Sequence, residues 1–461
     1  MSASEALAKF AVNFRLDMAP PEVLHAAKSL AIDTIGVATY GSRFSWSQAI
    51  ARYAQSSSSG GASRLFGIKN IRLSAAQAAL CNGSFTHAFE QDSLRKPGAG
   101  VHPGATVFAP AWAVAEECNA SGADLLKAVI VACEVMFRIG AASLHTSEKK
   151  GFHAPGLTGP YGSAIAAGVL LGLNEEQMVC ALGIAGSMSA GLLAFTKAQN
   201  GSGVKRLHLG RAAEAGVVAA KLAKEGLDGP ETILEGQFGF LESYCDQSNP
   251  ELLVANLGSS WETLKICIKA FPCHVTAHTP IESLRLLMQE YGFTHQQVAR
   301  IDIAVSEKVL SHHIIREPND VKQAQYSTPF CVAWALHYDP YQPENMNEDV
   351  LRDSLVRQTC QDIHFSLLVE GEGGRKHSAW SSLLRITLKS GEVYERWGDE
   401  FCGSPNKPLN SAQLQERFFQ LTHSCSKLTQ NEWWDSLNSL QDLKTLRDLP
   451  DLDSLLDKTA I

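Results

Sequence analysis

Long apolar runs are missing from this chain: no stretch approaches the ~20 consecutive apolar residues needed to cross a bilayer. The opening MSASEALAKFAVNFRLDM is charged throughout and has no apolar core before a cleavage site, so it does not read as a secretory signal. Basic clusters are missing as well. With a formal net charge of −8 and no run of Lys or Arg, nothing builds the patch that a nucleic-acid binder needs. The eleven cysteines include no Cys-x-x-Cys pair and no zinc-finger spacing. In a cytoplasmic chain, the location expected here, such cysteines act as small core residues. A Walker-type phosphate loop, a GxGxxG turn after a strand and a GxSxG elbow are all absent, which argues against nucleotide enzymes and serine hydrolases. Charge is scarce (19%) beside hydrophobic residues (45%) over 461 positions, so the chain builds a large core. At roughly 100–200 residues per domain, two or three domains are expected.

The first half reads as helix after helix. Pro20 and Pro21 open a segment in which Leu24, Ala27, Ala31 and Ile35 recur at helical spacing, with Gly41 at its end. Residues 123–141, 161–173 and 211–224 are rich in Ala, Gly and Leu, which suits helices packed closely in a buried bundle. Near residue 265 the pattern changes. ICIKAF alternates, as do Ile301, Ile303 and Val305. In 384–394, Ser390-Gly391 between apolar runs predicts a two-residue hairpin. Helical segments are expected near 278–292 and 324–338. The expected organisation is a helical domain over 1–265, a smaller α+β domain over 266–400, and C-terminal helices over 401–461 that rejoin the first domain. Ser56–Gly61 reads as a loop.

Four stretches carry groups suited to chemistry. THAFEQDSLRKPGAGVHPGAT holds Glu90, Asp92, Arg95, Lys96 and His102 around a Gly-rich turn. Such a loop can bind an anion and move a proton, although an ordinary charged surface loop has the same composition. Around His153, the sequence GFHAPGLTG places an imidazole before a helix start, where backbone N–H groups can receive a carboxylate. GVKRLHLGR places Lys205, Arg206, His208 and Arg211 within seven positions, either as a carboxylate-binding group or as a solvated basic face. FPCHVTAH offers His274 and His278 at i, i+4, but a zinc site would need a third ligand, and there is no HExxH glutamate. Cys273 beside His274 is a poor nucleophile pair, because adjacent residues rarely point together. No metal ligand set is therefore assigned.

Taken in order, these stretches resemble the MmgE/PrpD family, which includes 2-methylcitrate dehydratase, cis-aconitate decarboxylase and iminodisuccinate epimerase. The resemblance begins with PPEVLHAAKSLAIDTIGVATYG, NGSFTHAFEQD, GVHPGA and GFHAPGLTGPYGSAIAAG. It continues through VKRLHLGRAA, IKAFPCH, AQYSTPFCVAWAL and SGEVYERWGDEFCGSPNKPL. It implies a mostly helical domain built from both chain ends, a smaller α+β lid domain, and a homodimer with the site in the cleft between domains. It also implies that neither metal nor organic cofactor is needed. Matching motifs carry the family's site onto Glu90, His102, His153, Lys205, His208 and His274. One motif departs: where the family commonly reads Asp-Phe-Asp-Asp-Thr, this chain reads Glu90-Gln91-Asp92-Ser93-Leu94. The link from there to His102 is also longer than in the decarboxylase and carries Arg95 and Lys96.

The family reactions pass through carbanion-like centres beside a carboxylate, so a site must neutralise that carboxylate before carbon chemistry can proceed. Lys205, Arg206, His208, Asp92 and Arg95 are the expected substrate-binding groups. His102 and His153 are the expected acid–base pair, because imidazole titrates near neutrality. Glu90 is expected to orient a histidine or act as a further acid–base group, and His274 to complete the site on closure. The expected substrate is a small di- or tricarboxylic acid. A 2-methylcitrate dehydratase-like hydro-lyase leads. A cis-aconitate decarboxylase-like or epimerase-like reaction is the alternative, and a non-catalytic binding member stands further off.

Overall fold

The structure, a computed structural model, describes residues 1–198, 200–369, 377–446 and 449. It is mostly helical with small sheets, as expected. Pro21–Gly41 forms one long helix with Pro at its first position, where the missing N–H costs nothing. The Ala/Gly-rich segments become the helices Gly122–Ala142, Ala154–Leu171 and Val204–Lys224. With Ala75–Thr86 they form the centre of the bundle. Small residues make this close approach possible. A Cβ at Gly210 would stand 2.3 Å from the Leu80 carbonyl oxygen, so no other residue lets Val204–Lys224 lie this close to Ala75–Thr86.

Among the described residues two large apolar cores separate along the chain, beside a small third one of Leu94, Cys267, Val275, Trp380 and Phe401. One gathers residues of the first half with Leu414, Phe418, Trp433 and Leu437. The other gathers residues from Ala270 to Leu388, with Val37, Tyr40, Phe89 and Leu421 bordering it. The C-terminal helices Ser411–Leu421 and Lys427–Asn438 pack on Pro21–Gly41, and Arg417 donates to the buried Asp33 there at 2.8 Å. We propose the division at 265/266 and 400/401 on this partition of the cores.

The second core is backed by a four-stranded sheet in the order His364–Leu367, Val298–Val305, Ser382–Leu388, Val393–Gly398. The first pair is parallel and the other two are antiparallel. Two expectations need correction. ICIKAF gives only a two-residue strand, Ile266–Cys267, paired with Leu94–Arg95 outside that sheet. Ile268 then turns its N–H to the Gly403 carbonyl at 2.8 Å. The hairpin connection is also longer than two residues. Strand residues resume only at Val393, and Gly391 takes φ +94, a left-handed conformation that glycine adopts at little cost. Helices His278–Tyr291 and Thr328–His337 occupy the expected segments. No helix among the described residues is long and apolar enough to cross a membrane.

Candidate active site

Three helix ends meet at one level of the bundle. Ala75–Thr86 ends there with His87 as its C-cap, Ala154–Leu171 begins with His153 as its N-cap, and the first two turns of Val204–Lys224 contribute Lys205 and His208. Lys205 and His208, three apart, share one helix face. Two helix N-termini therefore point their positive ends at the same region, which favours a bound carboxylate.

The segment after Ala75–Thr86 crosses this region. Glu90 has φ +57, an uncommon conformation for a residue with a side chain, and its carboxylate is fully enclosed. It pairs with Lys205, lies 3.4 Å from Lys269 Nζ and lies 3.9 Å from Arg206 Nη2. Lys269 also donates to the Glu90 carbonyl at 3.1 Å and stands 4.0 Å from Asp92. Burial alone would raise the Glu90 carboxyl, but Lys205 and Lys269 outweigh it and hold it well below the ordinary range. Burial pushes Lys205 down to about 8 against the pull of Glu90.

Asp92, also enclosed, receives two imidazoles. His87 Nδ1 lies 2.9 Å from each of its oxygens and His102 Nδ1 lies 2.8 Å from Oδ2. Burial raises this carboxyl, and the two N–H donors more than reverse it, so Asp92 is ionised. A carboxylate only accepts, so both rings donate through Nδ1, and His87, kept neutral by burial, has a bare Nε2. Across the region His153 Nδ1 and His208 Nδ1 are 3.1 Å apart, so one must donate and the other accept. Burial and nearby Lys205 keep both below their ordinary range, as neutral imidazoles. The His87 and His153 ring centres are 6.5 Å apart, which joins the two halves.

His274 approaches through an aromatic stack. Its ring lies 4.1 Å from His313 and 5.1 Å from Tyr326, and Lys205 Nζ sits 4.6 Å above the Tyr326 ring. His102, His208, His274 and Tyr326 are half-buried and mark the side from which solvent reaches the cluster. The expected residues Glu90, Asp92, His102, His153, Lys205, Arg206 and His208 are thus brought together, with His274 at the edge. Arg95 is the exception. Its guanidinium is spent on Glu262 at 2.7 Å and on the Pro97 carbonyl at 2.8 Å, so it does not face the cluster. Cys273 and His274 point apart, as adjacent residues do: Cys273 Sγ is 3.7 Å from His278 Nδ1 instead.

Sequence reasoning missed His87, Lys269, Tyr326 and His313. The first three lay inside quoted motifs. Lys269 was the clearest available signal, a cation inside the apolar run ICIKAF. Among the described residues, His87, Asp92 and His102 are close enough together to share a cation. Both ring Nδ1 atoms are engaged by Asp92 as hydrogen bonds, with the Lys269 ammonium 4.0 Å from that carboxylate. A cavity of about 530 Å³ bordered by Arg64, Arg72, Glu116 and Asn119 lies elsewhere. Its Arg64 is already paired with Glu116, and none of the clustered imidazoles borders it.

A helical bundle from both chain ends, a small α+β unit and an imidazole–ammonium cluster beside their junction define the class. The chain belongs to the MmgE/PrpD family: its N-terminal domain model matches residues 5–253 and its C-terminal domain model matches 271–439. The chain is 34% identical over 296 residues to cis-aconitate decarboxylase of Aspergillus terreus, a match spanning 61% of this chain and 59% of that protein. It is 27% identical over 449 residues to human cis-aconitate decarboxylase, covering 94% of this chain and 88% of the human one. A cis-aconitate decarboxylase-like protein, oryM, of Aspergillus oryzae is 27% identical over 472 residues, covering 95% and 93%.

Proposed function

We propose that this chain is a lyase that removes CO₂ from cis-aconitate or a close polycarboxylate relative. The activity those relatives are named for favours this reading over the dehydratase expected first, and the cluster suits its chemistry. Loss of the carboxylate borne on the CH₂ of cis-aconitate leaves an electron pair that shifts across the double bond. It comes to rest on the carbon beside the other terminal carboxylate, where one proton is added. The trianion plus one proton thus gives CO₂ and a methylidene dicarboxylate. Two demands follow. Cations must take up the charge that moves onto the remaining carboxylate, and an acid must reach that carbon.

Lys205, Lys269 and Arg206 meet the first demand. Among the described residues the carboxylates near them are Glu90, which all three share, and Asp92, 4.0 Å from Lys269, so three cations face two carboxylates and keep positive charge for a substrate. His102 meets the second. It takes a proton on Nε2 from solvent, Asp92 stabilises the resulting imidazolium, and the proton passes to carbon. The His153–His208 pair lies opposite and is assigned to carboxylate positioning. His274, through Tyr326, closes the outer side. The observation that carries this reading is an Asp92-wired His102 in the same enclosed region as three cations. A homodimer belongs to the proposal and is tested by light scattering. For the reaction, the protein is incubated separately with cis-aconitate, 2-methylcitrate and iminodisuccinate, and products are followed by carbon NMR. CO₂ release from cis-aconitate is expected. Turnover of 2-methylcitrate alone, with loss of water, would restore the dehydratase.

A further inference from the structure

His87 has no step in the chemistry above, yet it is fully enclosed, as its partner Asp92 is. It shares Asp92 with His102: its Nδ1 spans both oxygens at 2.9 Å, while His102 Nδ1 binds Oδ2 at 2.8 Å. The two rings meet edge to face, with centroids 5.0 Å apart. Because Asp92 can only accept, the His87 Nδ1–H is committed to it, and the buried Nε2 is left without a partner among the described residues. A core histidine that merely filled space would gain by pairing both nitrogens. This one gives up the second partner and keeps the first.

A carboxylate that serves two N–H donors serves each less strongly than one. We infer that His87 is a positioning residue: by holding part of Asp92, it limits how firmly that carboxylate grips the His102 N–H, and so sets the pH at which His102 gains and loses its proton. The inference rests on reading His102 as the acid–base group. Burial keeps His87 neutral, down to about 3, so it acts as a hydrogen-bond donor and not as a second positive charge. The other charged groups around the pair are the same with or without His87. Lys269 faces Asp92 at 4.0 Å, Glu90 and Lys205 flank it, His153 lies across the cluster, and Asp33 is held by Arg417 behind it.

The test is an imidazole ¹⁵N NMR titration of the full chain, with the His102 resonance assigned by its loss in His102→Gln. His87→Leu removes the donor and roughly keeps the volume. His87→Asn places an amide N–H near the position of Nδ1. In His87→Leu the His102 midpoint should rise by roughly 0.5–1 pH unit, the size of one neutral hydrogen bond released. In His87→Asn it should stay within about 0.2 unit of wild type. The limb of the kcat/KM profile set by His102 should move in parallel. If His87→Leu does not fold, His87→Met takes its place. An unmoved midpoint in the apolar variant, or equal movement in both variants, overturns the inference. The titration needs no substrate, so a failed decarboxylase assay leaves this result intact and the two readings separable.

Discussion

Glu90→Gln exposes the electrostatic design most directly. The enclosed carboxylate faces Lys205 in direct contact, Lys269 at 3.4 Å and Arg206 at 3.9 Å. At an effective dielectric of about 20, a unit pair at such distances is worth roughly 4–5 kcal/mol before desolvation. Breaking a buried pair by removing one partner costs about 3–5 kcal/mol. Lys205 offers an escape, because it already titrates near 8 with Glu90 in place. Without that carboxylate its midpoint falls further, and each unit corresponds to about 1.4 kcal/mol. The variant therefore relieves most of the cost by releasing a proton at neutral pH. Two results are expected. A chain of this length has an unfolding entropy near 1 kcal/mol per degree, so the melting temperature should fall by about 1–4 °C. The basic limb of kcat/KM should move from about pH 8 toward acid, because a neutral Lys205 no longer holds a carboxylate. The assay pairs differential scanning fluorimetry with initial rates from pH 6 to 9. An unmoved basic limb together with an unchanged melting temperature would refute the reasoning.

Further perturbations separate chemistry from scaffolding. His102→Gln should lower kcat by about 10²-fold or more with little change in KM, measured by CO₂ release, because it removes a proton-transfer group and keeps a polar side chain. Arg95→Gln should leave kcat/KM within about 3-fold of wild type, since Arg95 is paired with Glu262, while thermal stability falls by roughly 1–3 kcal/mol. Glu148 joins His145 at 3.0 Å and Lys308 at 3.1 Å, which ties the two parts of the chain together. Burial would raise its carboxyl, but His145 and Lys308 hold it below the ordinary range. Its stabilising effect is therefore present above its unfolded value and lost as pH falls toward the folded one. The melting deficit of Glu148→Gln should be full at pH 7 and shrink below about pH 4.

The helices were legible in the sequence because their signals are local. Pro21 opens Pro21–Gly41, and Ala/Gly-rich spacing marks Val204–Lys224. Strand extent was less legible: ICIKAF alternates, but the pairing with Leu94–Arg95 lasts two residues, because the Gly403 carbonyl takes the next N–H. At the site, residue types were readable and partners were not. Arg95 and Lys269 are both cations, the first three positions from Asp92 and the second inside the apolar run ICIKAF. Only the fold sends Arg95 to Glu262 and Lys269 to Glu90. His87 carries no local mark of its function, since the bond to Asp92 depends on where Ala75–Thr86 ends.

The most direct test is turnover of cis-aconitate in deuterated water, with the product examined by proton and carbon NMR. If His102 delivers one solvent-derived proton to carbon, each product molecule carries a single deuterium, on the saturated carbon beside a carboxylate. His102→Gln would then form almost none. Neither CO₂ nor deuterium at carbon from the wild-type protein, at pH values where Lys205 is charged, would contradict the account.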